Sequence, residues 1–206
     1  MIPPDLLLSF FAASLLLGLA PGPDNLYVLS QSALAGRAAG LSVTLGLCTG
    51  LIGHTLAVAL GAAALLAGSP LAFGLLKALG AGYLLYLAWG AWRAAPAPLE
   101  APRAATAGLG RLYRRGILMN LSNPKVSLFF LAFLPQFADP GRGPLMPQIL
   151  LLGGVFILAT LLVFGAVALL AGAIQARLGR SAGAQRLLNR LTAIVFVGLA
   201  IRLLMP

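Results

Sequence analysis

The chain has 206 residues, of which 60% are hydrophobic and only 9% charged, and its formal net charge is +10. A soluble domain carries about a quarter charged residues, so a soluble globular fold is excluded and the class is integral membrane protein. The single cysteine, Cys48, excludes an internal disulfide, a CxxC redox pair and a thiolate metal cluster.

A membrane span needs roughly 20 mostly apolar residues. Six are predicted: 6–30, interrupted at 21–25; 41–67; 71–92; 113–134, interrupted at 123–125; 147–173; and 187–205. The first contains "FFAASLLLGLA" but has no basic residues before it, only Asp5, so it reads as a retained helix rather than a cleaved leader. "GSP" (68–70) and "ADPGRGP" (138–144) read as tight turns between neighbouring spans. "APAPLEAPRAATAG" (95–108) has no hydrophobic period and reads as a linker. The expected organisation is a three-helix repeat over 1–94, a cytoplasmic Ala/Pro-rich linker over 95–110, and a second three-helix repeat over 111–206.

The arginines sort by side. Arg37, Arg93, Arg103, Arg111, Arg114, Arg115, Arg177, Arg180, Arg186 and Arg190 lie in the odd-numbered connections, against Arg142 and Arg202 on the other side. An excess of Lys and Arg marks cytoplasmic loops, which places both termini outside the cytoplasm. The same bias accounts for the positive charge. No basic run is interleaved with aromatics, so nucleic acid is not an expected partner. "RLYRR" (111–115) reads as a juxtamembrane patch meeting anionic lipid. Tyr83, Tyr86, Trp89 and Trp92 approach the cytoplasmic end of the third span as an interfacial belt.

In each half the first span is the broken one: "PGPDN" (21–25) and "NPK" (123–125). Proline removes a backbone N–H and clashes with an earlier carbonyl. The freed backbone groups cannot face lipid, so they face protein or a watery cavity. Three spans per half require opposite insertion, which is the pattern of an inverted-repeat transporter with its site between interrupted helices. The predicted fold is therefore an all-α integral membrane protein, six transmembrane helices as two inverted three-helix repeats. Half-helix N-termini favour a carboxylate and freed carbonyls favour an ammonium group, so paired breaks suit a zwitterion. Asp24 in one break and Lys125 in the other fit this, since a charge at mid-span costs about 2.5–3.5 kcal/mol on insertion scales and marks a pathway. Two plainer readings stand beside it: Asp24 and Lys125 pair only to hold helices together, or Lys125 reaches out to the surface.

His54, the only histidine, is either a proton relay or, the favoured reading, a packing hydrogen bond to a neighbouring carbonyl. Lys77 reads as reaching the outer interface. Ser30 and Gln31 follow the first break and are weak exit-path candidates. Asn120 lies one turn before Asn123, so both are expected on one face. Gly46/Gly50 and Gly18/Gly22 are small-residue pairs expected at close helix contacts. No nucleophile–base–acid set and no phosphate-binding loop is present, so neither enzymatic activity nor ATP-driven transport by this chain is expected, and neither is a cofactor or metal.

"PGPDNLYVLSQSALAGRAAGLSVTLGLCTG", "LLKALGAGYLLYLAWGAWR" (75–93) and "NLSNPKVSLFFLAFLPQF" (120–137) resemble the LysE/RhtB family of amino-acid exporters. The resemblance runs along nearly the whole chain, except for the linker and the fifth–sixth connection. It implies proton-driven efflux of amino acids or close derivatives across a bacterial inner membrane. The motif residues carried over are Pro21, Gly22, Pro23, Asp24, Asn25, Asn123, Pro124 and Lys125. The family often has Asn where this chain has Asp24, so the acid is expected to tune cargo or coupling ion. The expectation is a secondary exporter with an amino-acid cargo, protons and membrane lipids as partners, and homo-oligomerisation left open. Cargo and coupling are assigned to Asp24, Asn25, Pro21, Gly22, Pro23, Asn120, Asn123, Pro124 and Lys125, with Asp24 and His54 as proton-relay candidates. The alternatives are export of another small metabolite or an inorganic cation, and a non-transport assembly protein.

Overall fold

Residues 2–68, 70–96, 108–178 and 181–205 are described in the computed structural model. Ser69, Arg103, Arg180 and most of the expected linker lie outside them. The described residues form helices and no strands: α1 (Pro4–Leu19), α2 (Pro23–Ala35), α3 (Arg37–Gly68), α4 (Pro70–Arg93), α5 (Leu109–Leu121), α6 (Pro124–Leu128), α7 (Leu145–Leu178) and α8 (Ala182–Leu204). Segments of α3, α4, α7 and α8 are each long and apolar enough to span a membrane, and the bent pairs α1–α2 and α5–α6 bring the number to as many as six. Large apolar side chains such as Leu60, Leu79 and Leu118 face outward, as lipid contact requires and water does not tolerate in quantity.

The two bends fall where the interrupted spans are predicted. The first pair turns by 61°, and the second, continuing to Phe137, by 50°. The residue before a proline is pushed out of the helical region. Ala20, before Pro21, has ψ 117, and Asn123, before Pro124, has ψ 108. Proline is also pre-set for the first position of a helix, where its missing N–H needs no partner. Pro23 and Pro124 accordingly open α2 and α6. The unwound residues are thus 20–22 and 122–123. Asp24, Asn25 and Lys125 stand in the first turn of the half-helix that follows, not in the unwound stretch as 21–25 and 123–125 had implied.

After α6 the chain loosens and then tightens: a π-helical turn over Phe129–Phe133, then a 3₁₀ turn over Leu134–Phe137. Pro135 offers no N–H to the carbonyl four residues earlier and cannot continue a regular α-helix. The next residue, Gln136, ties this turn to α8, its Nε2 donating to the carbonyls of Ala132 (3.0 Å) and Leu203 (3.2 Å). The 138–144 turn is built by Asp139, whose carboxylate accepts from Gly141 N and pairs with Arg142 at 3.3 Å, and by buried Gln148, whose Nε2 donates to the carbonyls of Asp139, Gly143 and Pro144. Gly143, at φ 115, supplies the left-handed residue that closes this turn.

α3 and α7 form the centre and pack on each other. α5 and α2 lie on α3; α1 and α2 lie on α7; α4 and α8 pair beside them. The α3–α5 contact depends on the absence of side chains: a Cβ on Gly46 would meet the Tyr113 carbonyl, one on Gly116 the Val43 carbonyl, and one on Gly50 would lie 2.7 Å from Asn120 Oδ1. Two apolar clusters result. One is rich in aromatic rings (Phe10, Phe129, Phe130, Phe133, Phe137, Phe156), the other mainly aliphatic (Val28, Val43, Leu47, Leu112, Val163, with Phe164). The buried polar residues of the two breaks lie where these clusters meet.

Candidate functional site

The site follows from which carbonyls the prolines orphan. A helical carbonyl at position i normally accepts from the N–H at i+4. Pro21 denies that donor to Leu17, and Pro124 denies it to Asn120. The Asn120 carbonyl still accepts from Asn123 N at 3.1 Å, and both carbonyls gain a side-chain donor from elsewhere in the chain. Lys125 Nζ donates to the Leu17 carbonyl at 3.4 Å and to the Ala20 carbonyl at 3.3 Å. His54 Nε2 donates to the Asn120 carbonyl at 3.2 Å. Asn25 Nδ2 donates to the Gly18 carbonyl at 2.7 Å, holding the end of α1 against the start of α2.

The breaks are therefore tied to each other. From the second break, Lys125 reaches the last turn of α1, and Asn123 Nδ2 donates to Asp24 Oδ2 at 2.9 Å. Asn123 Oδ1 also accepts from Lys125 N at 3.1 Å, capping α6. Gly22 gives the lysine head its room: a Cβ there would sit 3.2 Å from Nζ. Asp24, Asn120, Asn123 and Lys125 are all at least nine-tenths buried, with Lys125 the most exposed at 8%. Lys125 does not reach the surface. Nor, among the described residues, do Asp24 and Lys125 form an ion pair. Each instead engages the opposite break through a neutral group.

Three buried oxygens at this junction, Asp24 Oδ1, Asn25 Oδ1 and Asn120 Oδ1, have no hydrogen-bond partner among the described residues. All three are acceptors, and acceptors left unmatched in a low-dielectric interior are costly. Asp24, Asn120 and Lys125 line a small cavity together with Leu17, Leu51 and Val126. α7 contributes Phe156, Thr160 and Phe164 to the lining. The cavity leaves about 20 Å³ for the centre of a water molecule, room for one or two waters and not for an amino acid.

Two half-helices broken by proline, buried and cross-tied around unmatched acceptors, are features of a translocation protein. The sequence profile of the LysE type translocator matches residues 15–206. The chain belongs to the LysE type translocator family. Among relatives, it is 43% identical to an uncharacterized membrane protein of Pseudomonas aeruginosa, an alignment covering 60% of this chain and 59% of that protein. It is 38% identical to the homoserine/homoserine lactone efflux protein of Salmonella typhimurium over 82% of this chain and 81% of that one. It is 31% identical to the leucine efflux protein of Salmonella choleraesuis over 95% and 92%. No solved structure matches.

Within this LysE translocator, Asp24, Asn25, Asn120, Asn123, Pro124 and Lys125 come together at one junction, with Pro21, Gly22 and Pro23 shaping the backbone beside it. His54 sits at the second break in the favoured packing role, its ring 5.5 Å from Phe130. Ser30 turns away, its hydroxyl donating to the Tyr27 carbonyl. Lys77 lies over the Phe73 ring at 5.9 Å. Trp89 and Trp92 are exposed and carry the guanidinium groups of Arg93 (4.2 Å) and Arg190 (5.6 Å). Sequence reasoning missed the α7 contribution to the lining. Its signal was present: a lone threonine flanked at i±4 by phenylalanines, within a long apolar helix.

Proposed function

We propose that this translocator is a secondary exporter of small amino acids or close derivatives, working by proton exchange, with its cargo site between the two breaks. The observation that carries the reading is the reciprocal tie across the breaks, made around three unmatched buried acceptors. A protonated amino group brings three N–H donors, and Asp24 and Asn120, each with an unmatched Oδ1, are among the residues that line the cavity. Lys125 Nζ has three donors, of which two serve the Leu17 and Ala20 carbonyls. The third is left for the cargo carboxylate. Because the cavity is smaller than any amino acid, cargo entry requires the half-helices to separate. The bends at 20–22 and 122–123 are the natural hinges. Proton binding to Asp24 from the outer side removes the charge that holds the ammonium and favours release there, so that a proton returns as cargo leaves.

The packing supports the inverted-repeat reading. Exchange of the halves maps α1 onto α5, α3 onto α7 and α4 onto α8. The pairs α3–α7 and α4–α8 are each self-matched under that exchange, and α1 on α7 corresponds to α5 on α3. The names of the homoserine and leucine efflux relatives favour an amino-acid cargo, and the arginine distribution favours a bacterial inner-membrane protein with both termini outside the cytoplasm. The test is export from a host expressing the chain on growth-inhibiting amino acids. Resistance and accelerated efflux confined to one or two neutral amino acids are expected; unchanged efflux of every amino acid would overturn the reading.

A further inference from the structure

We propose that the paired ends of α4 and α8 hold an anionic phospholipid, its headgroup on Arg93 and Arg190 and its acyl chains along α4. One stripe of α4 has the profile of such a molecule. Leu75, Leu79, Gly82, Tyr86, Trp89 and Arg93 recur at three- and four-residue spacing, which keeps them on one face of the helix. Leu75, Leu79, Tyr86 and Trp89 are each more than half exposed, and a Cβ on Gly82 would meet nothing within 4 Å. Polarity changes along the stripe as it does along a lipid: leucines first, then a phenol, an indole and a guanidinium. From Leu79 to Arg93 the helix rises about 21 Å, close to the roughly 20–22 Å of one leaflet with its headgroups.

An interfacial belt of aromatic rings needs no cations on the rings. Here both indoles carry one. The Arg93 guanidinium lies 4.2 Å from the centre of the Trp89 ring, and the Arg190 guanidinium, coming from α8, lies 5.6 Å from that of Trp92. Trp89 and Trp92 are three residues apart and so are neighbours on the helix surface. Asn189, next to Arg190, donates from Nδ2 to the carbonyl of Ala94, next to Arg93, at 3.2 Å, which ties the two helices together at this end. Two positive charges are thereby gathered at one exposed place, and among the described residues neither meets a carboxylate. A ring face offsets only part of a cation's charge, and a guanidinium presents five N–H donors in a fork that fits a phosphate. A phospholipid supplies both missing partners, a negative headgroup at the arginines and hydrocarbon along the leucines.

The test uses the chain's own fluorescence, because Trp89 and Trp92 are its only tryptophans. The full-length protein is placed in phosphatidylcholine vesicles that contain a small, equal fraction of brominated phosphatidylglycerol or brominated phosphatidylcholine. Bromine on the acyl chain quenches an adjacent indole. The anionic lipid is expected to be preferred about 25-fold, about fivefold for each cation near the surface. Arg93→Gln with Arg190→Gln should abolish that preference; each single substitution, which serves if the double variant is poorly recovered, should lower it about fivefold. Arg111→Gln with Arg114→Gln, at the other basic patch, should leave it intact. Equal quenching by the two lipids in wild type, or a preference that survives the double substitution at 93 and 190, would overturn the proposal. A preference lost equally in the 111 and 114 variant would reduce it to a diffuse field and defeat the assignment of a site. Weak quenching by both lipids that rises as protein is diluted in the bilayer would show a second copy covering the rings, and would also reject the lipid. These readouts need no transport, so they stand apart from the export reading.

Discussion

Lys125 illustrates how one side chain carries structure and chemistry together. Its ammonium replaces the N–H that Pro21 withholds from Leu17, and it also caps Ala20. Lys125→Met should therefore cost about 1–3 kcal/mol for the unmatched carbonyls, read as a lower unfolding temperature in detergent, and should abolish cargo exchange. Retained exchange at the wild-type rate would remove Lys125 from the site. His54 makes the contrasting case. If its task is to donate to the Asn120 carbonyl, His54→Gln keeps a donor and should leave the pH dependence of export where it is, while His54→Leu should lower stability. A shifted pH profile in His54→Gln would make the imidazole a proton carrier after all.

At the scale of elements, the α3–α5 contact is set by glycine. Gly50→Ala places a methyl 2.7 Å from Asn120 Oδ1, and overpacking of this kind costs about 1–3 kcal/mol. Gly61→Ala on the same helix meets nothing within 4 Å and should be neutral or slightly stabilising. Equal thermal stability of the two variants would contradict the close packing. The broken spans were legible in sequence because prolines and charges inside hydrocarbon have no other comfortable explanation. Their offset by a residue or two was not, because it turns on proline preferring to open a helix. The π-helical turn over Phe129–Phe133 was hidden in an unbroken apolar run whose sole warning was Pro135. The ties themselves, Asn123 to Asp24 and Lys125 to Leu17, join residues 99 and 108 positions apart, a separation that no local pattern encodes.

For the whole molecule, the proposed orientation rests on the arginine bias. Gly108→Cys and Pro144→Cys, each in a Cys48→Ser background, test it in intact cells with a membrane-impermeant thiol reagent. Labelling is expected at 144 and not at 108; the reverse would invert the topology. The most direct test of the central claim is movement of a labelled amino acid, the one to which expression gives resistance, by proteoliposomes of wild type and Asp24→Asn, with and without an imposed pH gradient. Wild-type movement should accelerate under the gradient, and Asp24→Asn should lose that response. An Asp24→Asn protein that still moves its cargo at the full gradient-driven rate would contradict the account, because the carboxylate between the breaks would then be neither binding nor coupling.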